Sequence, residues 1–314
     1  MSLVVHRAGL LTTVQDLGRW GHQSAGVPVA GPMDSWSHRL ANSALGNPDS
    51  AAVFEITVIG PLIECEVGTR MAITGATCAI TINGEHARSP LLLEAAAGTT
   101  IDIGECHPGT RAYVAVAGGF DVPVVLGSRS TDLRSGFGGY AGRAVHARDR
   151  LHYAAAPVTP AVRELPDAAV GPARDGITRL RAMRGPAEGP AADRAFAALT
   201  SGSFRVSSHS DRMGYRLDGG VVAAATTASM VTAPTTMGLV QVPPSGEPIL
   251  LMADRHTTGG YAAVAVVITA DLPLAGQLGP GHAITFEACT PEDARHALRQ
   301  MEAQLAAIGE RSRE

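Results

Sequence analysis

Residues Ile80-Thr81-Ile82-Asn83-Gly84 form a β-branched run that stops at an Asn-Gly pair. β-Branched side chains fit a pleated surface, and Asn-Gly supplies the two left-handed positions of a two-residue hairpin loop. On either side, apolar segments recur about every ten residues: Val53–Ile59, Met71–Ile73, Ala79–Ile82, Leu91–Glu94, Thr100–Ile103 and Tyr113–Ala117. Gly, Asn or Pro separates them, which is strand-and-turn spacing. The style returns later in Phe204–Ser207, Leu239–Val242, Ile249–Met252, Ala262–Ile268 and Ala283–Phe286. Between the two series, residues 154–176 are rich in Ala and Pro without alternation and read as a linker. The expectation is a mainly β chain of two β-barrel domains with a few short helices. The boundaries are residues 1–155, a linker at 156–176, and residues 177–314 ending in a helix.

Two helices carry clear punctuation. Asp34 can cap residues 35–45, where Trp36, Leu40, Ala41 and Ala44 make one apolar face and Gly46 ends it. Thr290 can cap a second helix with Pro291 at its first position and acids at the positive end of its dipole. Ala294, Leu298, Met301 and Leu305 form its stripe.

Composition removes whole classes of function. The 314 residues include 36 glycines and 20 prolines, an excess that suits turns rather than a helical bundle. A hydrophobic content of 45% supplies a sizeable core, and a net charge of −4 marks neither a nucleic-acid nor an anionic-membrane binder. All 25 Lys+Arg residues are arginine. Schiff-base chemistry, a P-loop lysine and biotinyl-lysine on this chain are thereby excluded. Cys65, Cys78, Cys106 and Cys289 show no C-x-x-C spacing and are expected to be reduced core residues of a cytoplasmic protein. No signal-type segment or membrane-spanning apolar run is expected. The histidines form no zinc-spaced set, so no metal site is expected.

Four glycine-framed segments concentrate polar residues. In the first, running to Asp34, Arg19 either grips a carboxylate or phosphate or pairs with Asp16 for structure, with Gln15 and Asp34 as further acceptors. In the second, Gly127-Ser128-Arg129-Ser130-Thr131 is either an anion nest or a capped strand end. In the third, Asp211 could orient Arg212 and leave Arg216 for a ligand or partner, or all three form a solvated network. In the fourth, Gln241 precedes a strand that ends suddenly in Asp254, His256, Thr257, Thr258, Gly259, Gly260 and Tyr261, as a substrate loop would. His256 is also compatible with an ordinary hydrogen-bonded histidine.

Together these segments resemble one family, the second subunit of the allophanate-hydrolase/biotin-dependent carboxyltransferase group, known as KipA and as the C subunit of 5-oxoprolinase. The matching text is TTVQDLGRWG (12–21), GVPVAGPMD (26–34), LANSALGN (40–47), FEITVIGP (54–61), GSRST (127–131), SDRMGYRL (210–217), GLVQVPPSGEPILLMADRHTTGGY (238–261) and LPLAGQLGPGH (272–282). The resemblance implies two joined cyclophilin-like barrels. It also implies action with two partners, a KipI-type protein (the B subunit) and a LamB/YcsF-type protein (the A subunit). Together they would open 5-oxoproline to glutamate with ATP hydrolysis. ATP belongs to the complex. The family's usual Pro-Lys after Gly-Gly-Tyr is Ala262-Ala263 here, and its usual glutamine is His256.

The site expected on this basis has Asp254, His256 and Arg212 as catalytic residues. Gln15, Arg19, Asp34, Arg129, Ser130, Thr131, Arg216, Gln241, Thr257, Thr258, Gly259, Gly260 and Tyr261 bind a small amide or lactam. The two sets are expected to share one cleft. One alternative is the carboxyltransferase part of a biotin-dependent urea carboxylase/allophanate hydrolase system, with biotin carried by another chain. Another is a non-catalytic regulatory binding subunit.

Overall fold

The computed structural model describes residues 2–154, 161–165, 176–223 and 232–311. It is mainly β, as expected, and divides into two compact units. The first comprises residues 1–20, 30–171 and 303–314, the second residues 21–29 and 172–302.

The first unit opens with β1 (Ser2–Arg7), β2 (Leu11–Gln15) and α1 (Ser35–Leu45). There follow β3 (Val53–Thr57), β4 (Leu62–Cys65), β5 (Thr69–Gly75), β6 (Cys78–Ile82), β7 (Glu85–Arg88) and β8 (Leu91–Ala95). It closes with β9 (Thr100–Cys106), β10 (Arg111–Val116), β11 (Phe120–Asp121), β12 (Arg150–Tyr153) and β13 (Ala161–Glu164). They form a seven-stranded sheet, β11-β12-β1-β4-β9-β6-β7, and a six-stranded sheet, β13-β8-β5-β10-β3-β2. The Asn83-Gly84 loop joins β6 to β7 with Ile82 opposite Glu85, and φ is 51° at Asn83 and 86° at Gly84. Both positions are left-handed, as this turn demands.

β10 is buried along its whole length because both faces are covered. Ala112, Val114 and Val116 join the main core with Phe54, Ile56 and Ile73, while Tyr113 and Ala115 pack with Ala41, Ala44 and Leu45 of α1. Asp34 caps α1 by accepting from the Ser37 amide at 2.9 Å, and left-handed Gly46 ends the helix.

Two expectations need correction here. Cys78 and Cys106 form a disulfide, and only Cys65 and Cys289 are free thiols. The two cysteines face each other across β6 and β9 with Cα atoms 4.0 Å apart. Strand register, rather than sequence spacing, sets that distance. Within the expected linker, Ala161–Glu164 is a strand on the edge of the six-stranded sheet, paired along β8 from Glu94 to Leu91. β8 offers a free edge, and backbone pairing there needs no apolar alternation. Most of the remaining linker lies outside the described residues.

In the second unit, β14 (Thr178–Arg184) precedes α2 (Pro190–Ser201), β15 (Ser203–Val206), β16 (Gly214–Asp218) and β17 (Ala233–Pro234). Then come β18 (Leu239–Val242), β19 (Ile249–Leu251), β20 (Thr258–Gly259), β21 (Ala262–Val267), α3 (Leu272–Gly276) and β22 (Ala283–Ala288), and the unit ends within α4 (Pro291–Arg311), whose residues from 303 onward fall in the first unit. Seven strands close a barrel in the order β14-β21-β18-β19-β16-β15-β22, sealed by the parallel pair β14/β22. β17 and β20 form a separate short ribbon. α2 has no counterpart in the sequence reading. It starts with Pro190 at its first turn and buries only Ala192, Ala195 and Leu199, a stripe whose small side chains give little contrast. Thr290 caps α4 as expected, its hydroxyl accepting from the Asp293 amide while the Asp293 carboxylate takes the Thr290 amide.

Candidate functional site

Six expected site residues lie in the first unit, and their polar groups are turned inward. The Asp16 carboxylate accepts hydrogen bonds from the Ser128 and Ser130 hydroxyls (2.6 Å each), the Arg129 amide (2.6 Å) and the Gly18 amide (2.9 Å). Burial pushes the Asp16 carboxyl up, but these donors outweigh it and hold it below the usual carboxylate value. The 127–131 segment is therefore a nest, and the anion it holds is the chain's own. Thr131 Oγ1 donates to the Val14 carbonyl.

Arg19 is 0% exposed. Its Nε donates to the Val125 carbonyl at 2.9 Å, its Nη2 to the Ser130 carbonyl at 2.8 Å, and its guanidinium lies over the Phe137 ring. It makes no direct pair with Asp16 and presents no surface to a ligand in this arrangement. Arg129 Nε binds the Val122 carbonyl. Gln15 is buried, donating to Thr13 and Thr131. Asp34, also fully buried, caps α1. Around it the Tyr113 hydroxyl donates to Glu55 at 2.8 Å and accepts from the Asp34 amide.

The second unit behaves differently. A cavity of about 330 Å³ sits on the outer face of its barrel. In β16, Tyr215 and Leu217 face the barrel interior, so Gly214 and Arg216 point outward. Arg216 is paired with Ile249, Ile249 with Gln241, and Gln241 with Ala263. The first three make the cavity floor. Ala263 extends the same row. The opposite wall is His256, Thr258, Gly259, Gly260 and Tyr261. Gln241 Nε2 reaches the Tyr261 carbonyl at 3.4 Å. A Cβ on Gly259 would stand 2.6 Å from that same nitrogen, so any larger residue there would have to displace the Gln241 amide.

Arg212 and Asp254 do not line the cavity. Their side chains are 6% and 11% exposed and form a bidentate pair, Nε to Oδ2 and Nη2 to Oδ1, both 2.8 Å. The Asp254 amide also donates to the Arg212 carbonyl. The pair clamps the 207–213 loop to the 252–256 loop. Arg212 is thus oriented by Asp254, not by Asp211, whose carboxylate caps the Met213 amide at 2.8 Å. With its oxygens held by a guanidinium, Asp254 has the geometry of a positioning residue. His256, whose carbonyl is held by the Thr235 hydroxyl, lines the cavity directly.

His209, Asp211, Met213, Gly214, Thr235 and Leu251 complete the lining and were not among the expected site residues. Asp211, Met213 and Gly214 lie within the 210–217 run already singled out, and His209 just before it. Nothing local marks Thr235; the β17/β20 ribbon carries it in. Among the described residues no group of three or more His, Cys, Asp or Glu is arranged to hold a metal, and no helix is long and apolar enough to cross a membrane.

A closed barrel with an outer cavity, in a chain whose other unit is built of two sheets, matches a known class. Residues 25–288 match the model of the carboxyltransferase domain, subdomain A and B, and the chain belongs to that family. It is 37% identical over 301 residues to the C subunit of 5-oxoprolinase from Escherichia coli, covering 96% of this chain and 95% of that one. The structure of TTHA0988 is 37% identical with a TM-score of 0.81, covering 91% of this chain and 55% of that one. The Kluyveromyces lactis urea carboxylase structure is 29% identical with a TM-score of 0.85, covering 98% of this chain. The chain thus spans just over half of TTHA0988 and 29% of the carboxylase.

Proposed function

We propose that this chain is one component of a cytoplasmic, ATP-dependent 5-oxoprolinase complex that hydrolyses the lactam of 5-oxoproline to glutamate, and that the cavity beside Arg216 and Gln241 is its contribution to the substrate site. The observation that carries this reading is similarity along nearly the whole of both chains to the E. coli protein named as the C subunit of 5-oxoprolinase. The partners are a KipI-type protein and a LamB/YcsF-type protein, and the two units correspond to cyclophilin-like barrels.

The residues present do not fit a nucleotide. The chain has no lysine, and the Ser-, Thr- and Arg-rich nest that might cradle a phosphate is filled by Asp16. In this reading ATP is held by a partner, and no step here runs through it. What this chain offers is orientation. Arg216 and Gln241 present a cation and an amide on either side of Ile249, and His256 stands where it can pass a proton to or from a bound amide. The clamp of Arg212 and Asp254 keeps the His256 loop in place.

The test is glutamate release from 5-oxoproline by the complex co-expressed with both partners. Release that requires ATP and is indifferent to avidin is expected. A second reading, the carboxyltransferase component of a biotin-dependent urea carboxylase, is favoured by the TM-score of 0.85 with the K. lactis enzyme. It predicts no glutamate and an avidin-sensitive carboxylation of urea. Biotin would then arrive on another chain, because this one has no lysine to carry it.

A further inference from the structure

We propose that the outer cavity selects a lactam that carries a carboxylate, with Arg216 as the carboxylate receptor and Gln241 as the partner of the lactam amide. The proposal rests on the 5-oxoprolinase reading and adds to it the residues that set specificity.

Three observations support it. Among the described residues, Arg216 is the only arginine lining the cavity, and its guanidinium makes no ion pair or side-chain hydrogen bond; only its main chain is engaged, by Ser210 and Ser207. The acid of the same lining, Asp211, accepts from the amides of Met213 and Gly214 through its Oδ1. Every other arginine discussed above is committed to a carboxylate or a carbonyl. An uncommitted guanidinium fork at a cavity wall is suited to a planar anion bound by two parallel hydrogen bonds.

The second observation is register. Arg216, Ile249 and Gln241 are successive cross-strand partners on β16, β19 and β18. At about 4.8 Å per strand, the Cα atoms of Arg216 and Gln241 lie roughly 10 Å apart on the same face. That spacing over Ile249 leaves room for one small ring between the two side chains in the cavity they both line. The third is the state of Gln241. It is 6% exposed and held under Gly259, with Nε2 reaching the Tyr261 carbonyl. A primary amide presents an acceptor and two donors in one plane, which complements the C=O and N–H of a cis amide in a ring. A carboxylated lactam offers both features at once. Urea offers no carboxylate, and a neutral lactam leaves the guanidinium without its anion.

The test uses the complete complex and two lactams, 5-oxoproline and the carboxylate-free 2-pyrrolidinone. For Arg216→Met we expect the KM for 5-oxoproline to rise roughly 10- to 100-fold with kcat changed far less, because the lost contact serves binding. Competitive inhibition by 2-pyrrolidinone should be weak in the wild type and unchanged in that variant. Gln241→Glu should weaken both lactams, since it removes the amide donors. An Arg216→Met complex that keeps the wild-type KM overturns the assignment, as does one in which both lactams weaken equally. A wild-type complex that releases no glutamate overturns the 5-oxoprolinase reading itself, a result distinct from either. Arg216 is exposed, and an unchanged melting temperature of the variant separates loss of contact from loss of fold.

Discussion

The loops around Asp16 in the first unit and those around Arg216 in the second share the same vocabulary of glycine, arginine, serine and threonine. They differ in where the charge goes. In the first, a carboxylate of the chain occupies the donor nest, and Arg19 is committed to two backbone carbonyls and an aromatic face. In the second, the buried pair of Arg212 and Asp254 satisfies itself behind the wall, and the next arginine along the chain, on β16, is left facing a cavity. Polar, glycine-rich loops therefore serve as internal scaffolding where their charges are closed, and as a site where one charge is left open. The same residue types cannot distinguish the two in sequence.

That contrast can be broken most directly at Asp16. Asp16→Ala strips four donors of their acceptor and should cost about 5 kcal/mol, measured by urea unfolding. Added formate should recover part of the loss in the variant and leave the wild type unmoved. A cost under about 1 kcal/mol would show that the nest does not depend on its internal anion. Arg212→Ala should cost about 4 kcal/mol, because it leaves Asp254 buried without its countercharge. It should also depress activity by loosening the His256 loop. Equal turnover in variant and wild type would detach the clamp from the site.

The first unit's closed character should also appear in its pH response. His38 is fully buried; burial lowers its pKa to about 4, against which the Gln15 carbonyl and nearby carboxylates act only partly. An unfolded histidine titrates near 6.5, so the unfolded chain takes up the proton first as pH falls. The stabilisation is complete above about pH 6.5 and is lost progressively toward about pH 4, by about 3 kcal/mol at most. His38→Gln should flatten that slope; an unchanged slope would place the titration elsewhere. Asp16, held below its ordinary value, loses its contribution only as pH falls further, through its own depressed pKa. The smallest effect lies in neither cluster: Thr290→Ala removes the α4 cap and should cost about 1 kcal/mol in thermal or chemical unfolding.

Much of the fold was legible because its signals are local. Asn83-Gly84, the Asp34 cap with Gly46, and Thr290-Pro291 each state a backbone geometry within a few residues, and each is found where the sequence puts it. α2 escaped because an alanine stripe barely differs from its surroundings, and β13 because an edge strand takes its hydrogen bonds from a neighbour about 70 residues away. The candidate site was legible as segments and not as geometry. The fourth segment does wall the cavity, and Arg216 does remain uncommitted. Yet Asp254 proved to be the clamp of Arg212, and Asp34 and Arg19 are buried inside the first unit.

By itself, the sequence determined the β character, the two glycine- and proline-punctuated series, the capped helices and the absence of lysine chemistry, all of which follow from side-chain type and short-range spacing. Only the tertiary structure decided which charge meets which. The pairing of Cys78 with Cys106, the closing of the nest of Ser128 and Ser130 by Asp16, and the row of Arg216, Ile249 and Gln241 all depend on strand register. Register is fixed by the burial of whole faces across many residues, and that is a property no single segment contains.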